Sequence, residues 1–423
     1  YWRDRARPIL INNWEATQFD FSEDLLVRIA EKAKESGVEL FVLDDGWFGK
    51  RCNEHAGLGD WIANPDRLKN GITGLAQRIE DLGMKFGLWF EPEMVNKDSD
   101  LYREHPDWII QTPGRKNSHG RFQYVLDFSR KEVVDRIYDM MAKILSEAKV
   151  SYIKWDMNRS ITECYSAVFP EDRQGEIYHR YILGVYELYE RLTSKFPHIL
   201  FESCASGGGR FDPGMLYYAP QCWTSDDSDA VERIKIQYGT SYCYPVSSMG
   251  THVSAVPNHQ INRITPLYTR ANVAYFGTFG YELDLNALTA EEQEEVKEQI
   301  AFMKQYRQLF QFGTFYRLMS PFENNISAWM VVNEDKTEAI VGWYRVLNGI
   351  NLPYTRLRLK GLSDEMQYTV NGDSVAHYGN ELMNAGLITT DISSGQAEGD
   401  EKMCQDFESR LYILKAVKGG KTA

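Results

Sequence analysis

Up to about residue 315, short apolar runs of strand length alternate with longer amphipathic stretches, and this alternation restricts the fold more than any other feature of the chain. The strand-like runs fall at 8–14, 40–47, 85–92, 124–129, 152–158, 199–204, 221–227 and 246–253. Between them lie stretches with helical periodicity such as Glu23–Ser36, Arg130–Ala148 and Gly175–Phe196. Strands alternating with helices predict an α/β fold, either a (β/α)8 TIM barrel or a doubly wound open sheet. In most of these runs the polar residues gather at the C-terminal end, which favours the barrel, because barrel sites form at that face. Beyond about Phe315 the pattern changes. Val331–Val332, Ala339–Tyr344, Leu357–Leu359, Tyr368–Val370 and Leu411–Leu414 are short strand-like runs split by Asn, Gly and Asp. They predict a small antiparallel β-domain, with Ser394–Glu401 as a polar loop. The expected division of the 423 residues is a catalytic barrel over 1–319 and a β-sandwich over 320–423.

The formal net charge of -13 argues against nucleic acid or an anionic membrane as partner. No apolar run is long enough for a transmembrane helix, and no signal peptide is visible. The chain opens on Tyr1-Trp2-Arg3 without Met, so the natural N-terminus is expected upstream. Cys52, Cys164, Cys204, Cys222, Cys243 and Cys404 form no CxxC pair and read as free thiols in a reducing compartment, with a cytoplasmic location expected. Aromatic residues make up 13% of the chain, which suits either stacking on sugar rings or an aromatic-rich core.

Within 152–158, Lys154, Asp156 and Asn158 alternate with Tyr152, Ile153, Trp155 and Met157. A strand puts i, i+2 and i+4 on one face, so a cation, a carboxylate and an amide point the same way. Such groups are costly to bury unless they pair with one another or with a ligand. Other strand ends add Asp44-Asp45-Gly46-Trp47, Trp89-Phe90-Glu91-Pro92-Glu93, Glu202-Ser203-Cys204 and Trp223-Thr224-Ser225-Asp226-Asp227-Ser228-Asp229. Many carboxylates, a few indoles and one Lys suit a neutral, hydroxyl-rich ligand. Two carboxyls flanking one bond are what glycoside hydrolysis requires. Asp156, beside a cation, suits the ionised nucleophile. Asp226, with Asp227 and Asp229 near, suits the acid, because like charges raise a carboxyl pKa.

Competing readings are weaker. Asp156 could be a buried salt-bridge partner of Lys154, and Asp226 a solvated loop residue. Asp229 fits a helix cap better than Asp226, because it directly precedes the helical run from Ala230. Gly207–Gly209 lacks the following Lys-Ser/Thr and the GxGxxG spacing of a phosphate loop. His252 is alone among the strand ends, where a metal site would want several His, so neither metal nor other cofactor is expected. Asn158-Arg159-Ser160 and Asn325-Ile326-Ser327 match the glycosylation pattern by accident.

The segments LDDGWFG, WFEPEM, YIKWDMNR, ESCASGGGRFDPGM, CWTSDDSDAVERIKIQYGTS and MGTHVS run co-linearly from about Arg7 to Tyr281. In them the chain resembles glycoside hydrolase family 36, the bacterial retaining α-galactosidases. The resemblance implies a TIM barrel with a C-terminal β-sandwich, and cleavage of terminal α-galactosides of the melibiose and raffinose type through a covalent galactosyl-enzyme intermediate. It implies Asp156 as nucleophile and Asp226 as acid/base. Asp44 and Asp45 would hold the galactose 4- and 6-hydroxyls. Lys154 and Asn158 would bind ring hydroxyls, and Cys204 with the small loop after it would face the 2-hydroxyl. Trp14, Trp89 and Arg121 resemble other pocket positions. Ser206 stands where some members carry glycine. The family's large N-terminal β-sandwich domain has no counterpart in this sequence, and the intact family protein is a homo-oligomer, a tetramer. The alternatives to hydrolysis are galactosyl transfer of the raffinose-oligosaccharide type, an α-N-acetylgalactosaminidase, or a non-catalytic carbohydrate-binding fragment.

Overall fold

The computed structural model describes residues 1–118, 120–349, 355–389 and 406–417. The expected polar loop Ser394–Glu401, together with His119 and Cys404, lies outside the described residues. Eight parallel strands close into a barrel in chain order. They are β1 (Leu10–Asn12), β2 (Leu40–Leu43), β3 (Lys85–Phe90), β4 (Val150–Trp155), β5 (Leu200–Ser203), β6 (Gln221–Trp223), β7 (Met249–Ser254) and β8 (Thr278–Glu282). Parallel strands with both faces covered read as continuous apolar runs, which is why Leu40–Leu43 is buried at every position. Where registers are defined, Leu40 pairs Leu10, Val42 pairs Gly87, Gly87 pairs Tyr152, and Tyr152 pairs Leu200. Leu10, Leu40, Val42, Tyr152 and Leu200 form one buried cluster inside the barrel.

One of the expected barrel strands is not in the barrel. The run at 124–129 contributes only Gln123–Val125, which pairs antiparallel with Met94–Asn96 in the excursion that follows β3. The closing strand is instead Thr278–Glu282, whose Thr, Gly and Glu break up the apolar signal although all five residues are buried. Strand identity here is settled by packing partners rather than by local propensity. Lys154 and Asp156 therefore belong to the fourth barrel strand and its end, not the fifth, and Asp226 follows the sixth.

The helices obey local rules. In Glu23–Ser36 the Ser22 hydroxyl accepts from the Leu25 N–H, and Gly37, at φ +97°, closes the C-terminus. Its apolar face buries Leu26, Val27, Ile29 and Ala30, with about 1.5–3 kcal/mol for each large side chain removed from water. Helix Ile177–Lys195 crosses so close to the turn before helix Lys131–Glu147 that a Cβ on Gly184 would lie 1.9 Å from the Phe128 carbonyl oxygen. Only glycine permits that approach.

Downstream lies an antiparallel sheet of six strands. In spatial order these are β9 (Thr314–Met319), β10 (Ile326–Val332), β11 (Glu338–Arg345), β14 (Glu408–Ala416), β12 (Gln367–Val370) and β13 (Ala376–Tyr378). Its buried face carries Ala328, Met330, Val341, Trp343, Tyr368 and Leu414, packed with Leu357, Leu359, Leu362 and Leu382. Arg356–Leu357 and Leu387–Ile388 pair as a separate two-stranded ribbon.

By internal contacts the chain divides into two compact units, Tyr1–Asp226 with Tyr281–Glu294, and Asp227–Gly280 with Glu295–Ala423. Among the described residues no helix is long and apolar enough to cross a membrane.

Candidate active site

Of the polar residues flagged at the strand ends, Asp44, Asp45, Lys154, Asp156, Cys204 and Asp226 lie within the first unit. Asp156 follows the last residue of β4, and its own N–H donates to the Phe90 carbonyl, which continues the β3–β4 pairing by one step. Its carboxyl accepts at both oxygens. Oδ1 takes the Met157 N–H at 2.8 Å and the Ser206 N–H at 3.4 Å. Oδ2 takes the Asn158 amide at 2.7 Å and the Trp89 indole N–H at 3.3 Å. Asp156 is only 7% exposed, so its orientation is fixed before any ligand arrives.

Lys154 donates to Asp44 Oδ2 at 2.8 Å and lies 5.8 Å from the centre of the Trp223 ring. Burial works against its charge, but Asp44 and Glu282 outweigh it and hold the ammonium well above its usual pKa. Asp44 Oδ2 also accepts from the Asn12 amide at 2.6 Å. Asp45 is gripped by Arg51, with Nη2 at 2.8 Å from Oδ2 and Nε at 3.0 Å from Oδ1, and Arg51 itself is 1% exposed. Burial with the neighbouring charges of Asp44 and Asp156 pushes the Asp45 carboxyl up against the pull of Arg51.

Asp226 presents an open surface, in contrast to the closed-in Asp156. Desolvation raises its carboxyl most, the Asp156 charge adds to this, Lys154 opposes it, and the balance stands at about 6. The sequence pointed to Asp227 and Asp229 as the like charges responsible. Asp229 instead caps helix Ala230–Thr240, accepting from the Val231 and Glu232 N–H groups, and pairs with Arg263.

Cys204 is buried, and its Sγ accepts from the Gly207 N–H at 3.4 Å. Burial pushes the thiol well above its usual pKa, and Asp156 and Asp226 push it the same way. The Ser206 hydroxyl donates to Asn158 Oδ1 at 3.0 Å, and Ser206 sits in the left-handed region at φ +48°. A Cβ on Gly207 would meet Ser225 Cα at 2.6 Å and Asp226 N at 2.7 Å, so this loop presses on the segment that carries Asp226. Arg121 bonds Glu54 at 3.3 Å; burial disfavours its charge, but Glu91, Glu54 and Asp156 more than compensate. Trp14 is tied to the group indirectly, through its backbone N–H on Asn12 Oδ1.

Sequence reasoning left several participants out of the site. Arg51 lies in a loop with no periodicity to announce it. Glu282 ends the strand that was missed. Glu91 and Glu93 stood in plain view at the end of β3 but carried no separate signal. Among the described residues no cluster of His, Cys, Asp and Glu could hold a metal ion.

The fold and these side chains describe a (β/α)8-barrel protein of the glycoside-hydrolase type, with carboxyls, a lysine and an indole gathered at its strand ends. The chain belongs to the melibiase family: the melibiase model matches residues 1–313 and the glycosyl hydrolase family 36 C-terminal domain model matches 326–414. It is 55% identical to the α-galactosidase AgaA of Geobacillus stearothermophilus over 99% of this chain and 56% of that protein. It is 47% identical to the α-galactosidase Mel36A of Lactobacillus acidophilus over 98% of this chain and 55% of that protein. A crystal structure of the Geobacillus protein superposes with a TM-score of 0.94 over 98% of this chain and 56% of that chain. A variant of that protein has been solved in complex with raffinose. The chain thus spans about half the length of the curated relatives it matches.

Proposed function

We propose that the protein is a retaining α-galactosidase acting on terminal α-galactosides of the melibiose and raffinose type. The observation that carries the reading is the asymmetry of Asp156 and Asp226. One carboxyl is enclosed and pinned by four donors; the other is open, faces the first's charge, and is raised to about 6. Two carboxyls pushed apart in this way divide into nucleophile and acid. Asp156 attacks the anomeric carbon while Asp226 gives its proton to the leaving oxygen. Asp226, now ionised, then takes a proton from water, which releases galactose from Asp156. The relatives named α-galactosidases and the raffinose complex of one of them support the substrate class.

The roles of the remaining residues follow their contacts. Asp44, held by Lys154 and Asn12, and Asp45, held by Arg51, keep free acceptor capacity for the 4- and 6-hydroxyls. Lys154 and Asn158 meet the ring hydroxyls, and Cys204 with Ser206 line the side of the 2-hydroxyl. Trp89 walls the nucleophile, and Trp14 and Arg121 complete the rim. The whole protein acts in the cytoplasm as a homo-oligomer, without a metal or cofactor.

Following an aryl α-galactoside by proton NMR tests this. Retention requires release of the α-anomer of galactose first, with the two carboxyls about 5–5.5 Å apart. First release of the β-anomer, or binding of galactose with no turnover, sinks the reading. Transfer of galactose to added sugar in preference to water favours the transferase alternative, and a faster rate on the N-acetylgalactosaminide favours the aminidase.

A further inference from the structure

Glu91 is fully buried at the end of β3, behind the nucleophile's loop. Its Oε1 accepts the Asn158 backbone N–H at 2.5 Å, and its Oε2 lies 3.2 Å from the amide nitrogen of the fully buried Gln123. Asn158 in turn donates its side-chain amide to Asp156 Oδ2 at 2.7 Å. A chain of contacts thus runs from Glu91 through Asn158 to the nucleophile oxygen. Among the described residues no cation forms an ion pair with Glu91, although it is enclosed with a second carboxyl. Two carboxyls sharing a dry site do not both ionise readily.

We propose that Glu91 is a positioning residue of this site, a neutral carboxylic acid that fixes Asn158 and, through it, Oδ2 of Asp156. The role rests on Asp156 being the nucleophile. The groups facing Glu91 favour that charge state. Burial raises its carboxyl most and Asp156 adds to this, Arg51 and the Asn158 hydrogen bonds pull the other way, and the balance stands at about 8. Arg121 also faces it, from the loop before Gln123. A neutral acid keeps the Asn158 N–H satisfied without placing a second negative charge beside Asp156. It also has a proton to offer the Gln123 side-chain oxygen, which has no hydrogen-bond partner among the described residues, once that amide turns over. The sign follows. As pH rises through about 8, Glu91 ionises and sets a second negative charge against Asp156 across the Asn158 bridge.

Glu91→Gln and Glu91→Ala in the full chain test the proposal. The infrared difference spectrum of parent minus Glu91→Gln, recorded at pH 6 and pH 9, needs no turnover. The expected result is a carboxylic-acid C=O band at the lower pH that is lost at the higher one; a carboxylate at both overturns the proposal. With an aryl α-galactoside whose leaving group needs no acid, the parent's kcat is expected to decline as pH rises through about 8. Glu91→Gln is expected to lose roughly two- to threefold at pH 6 and to show no such decline. Glu91→Ala is expected to lower kcat roughly 10–100-fold with little change in KM, because it leaves the Asn158 N–H without its acceptor. Parent-like kcat in a folded Glu91→Ala overturns the proposal, and so does a Glu91→Gln loss equal to that of Glu91→Ala. A parent that turns over no galactoside sinks the proposed function, while the infrared band still decides the state of Glu91.

Discussion

Glu91 and Glu93 stand two residues apart at the end of one strand, both fully buried, and they have opposite surroundings. Glu93 accepts from Arg210 at both oxygens, from the Trp155 indole at 2.8 Å and from the Tyr181 hydroxyl at 2.5 Å. That carboxylate is paired and saturated, which is how a protein buries charge for architecture. Glu91 has no such cation and shares its enclosure with Asp156. Strand alternation would send residues two apart to one face, but β3 ends at Phe90 and the chain turns through Pro92, so the two side chains go to different places. Glu93 ties the end of the Gly207–Arg210 loop to Trp155 of the barrel wall, and Glu91 backs Asn158. Burial does not separate the two glutamates; the dedicated counter-charge on Glu93 does.

Substitutions can break that contrast. The largest effect is expected from Asp156→Ala, with kcat on any galactoside falling roughly 10⁴–10⁶-fold in a stopped aryl-galactoside assay. A surviving tenth of the activity would remove Asp156 from the chemistry and Glu91 from its supporting role. Next comes Glu93→Ala, which strands Arg210 as a buried unpaired cation and is expected to cost about 3–5 kcal/mol by denaturant unfolding. Stability within error of the parent would erase the distinction between the two glutamates. Asp226→Ala is expected to lower turnover of raffinose-type substrates roughly 10²–10⁴-fold and that of activated aryl galactosides much less. In the parent, kcat/KM for the unactivated substrate should fall as pH rises through about 6, because the acid must still carry its proton. An unchanged profile in Asp226→Ala would assign that limb elsewhere. The smallest change is Ser22→Ala, outside both regions, expected to cost about 1 kcal/mol of stability through its lost helix cap with no effect on turnover.

Much of this was legible in the sequence, for specific reasons. Lys154, Asp156 and Asn158 announce themselves because a polar i, i+2, i+4 set in an apolar strand is expensive without partners, and Asp44 and one another are those partners. Asp229 reads as a cap because it directly precedes a helical run, and it is one. The barrel follows from alternation, even though one strand was placed at 124–129 instead of 278–282. Apolar runs report burial, whereas pairing depends on where the excursion after β3 folds back. Arg51 and Gln123 were invisible for the same reason. Their partners, Asp45 and Glu91, are distant along the chain or reached by loops whose paths only packing decides. The first strand of the downstream sheet starts at Thr314, directly after the helix ending at Phe312, so no linker composition marks the passage.

The backbone contact between Gly207 and the Ser225–Asp226 segment limits how the pocket can be redesigned. In the proposed site, the loop assigned to one side of the sugar also forms the backstop for Asp226. Enlarging that side by moving the loop therefore displaces the acid along with it. Side-chain replacement at Ser206, which points away from that contact toward Asn158, is the route by which a library could admit a bulkier 2-substituent and keep its catalyst aligned.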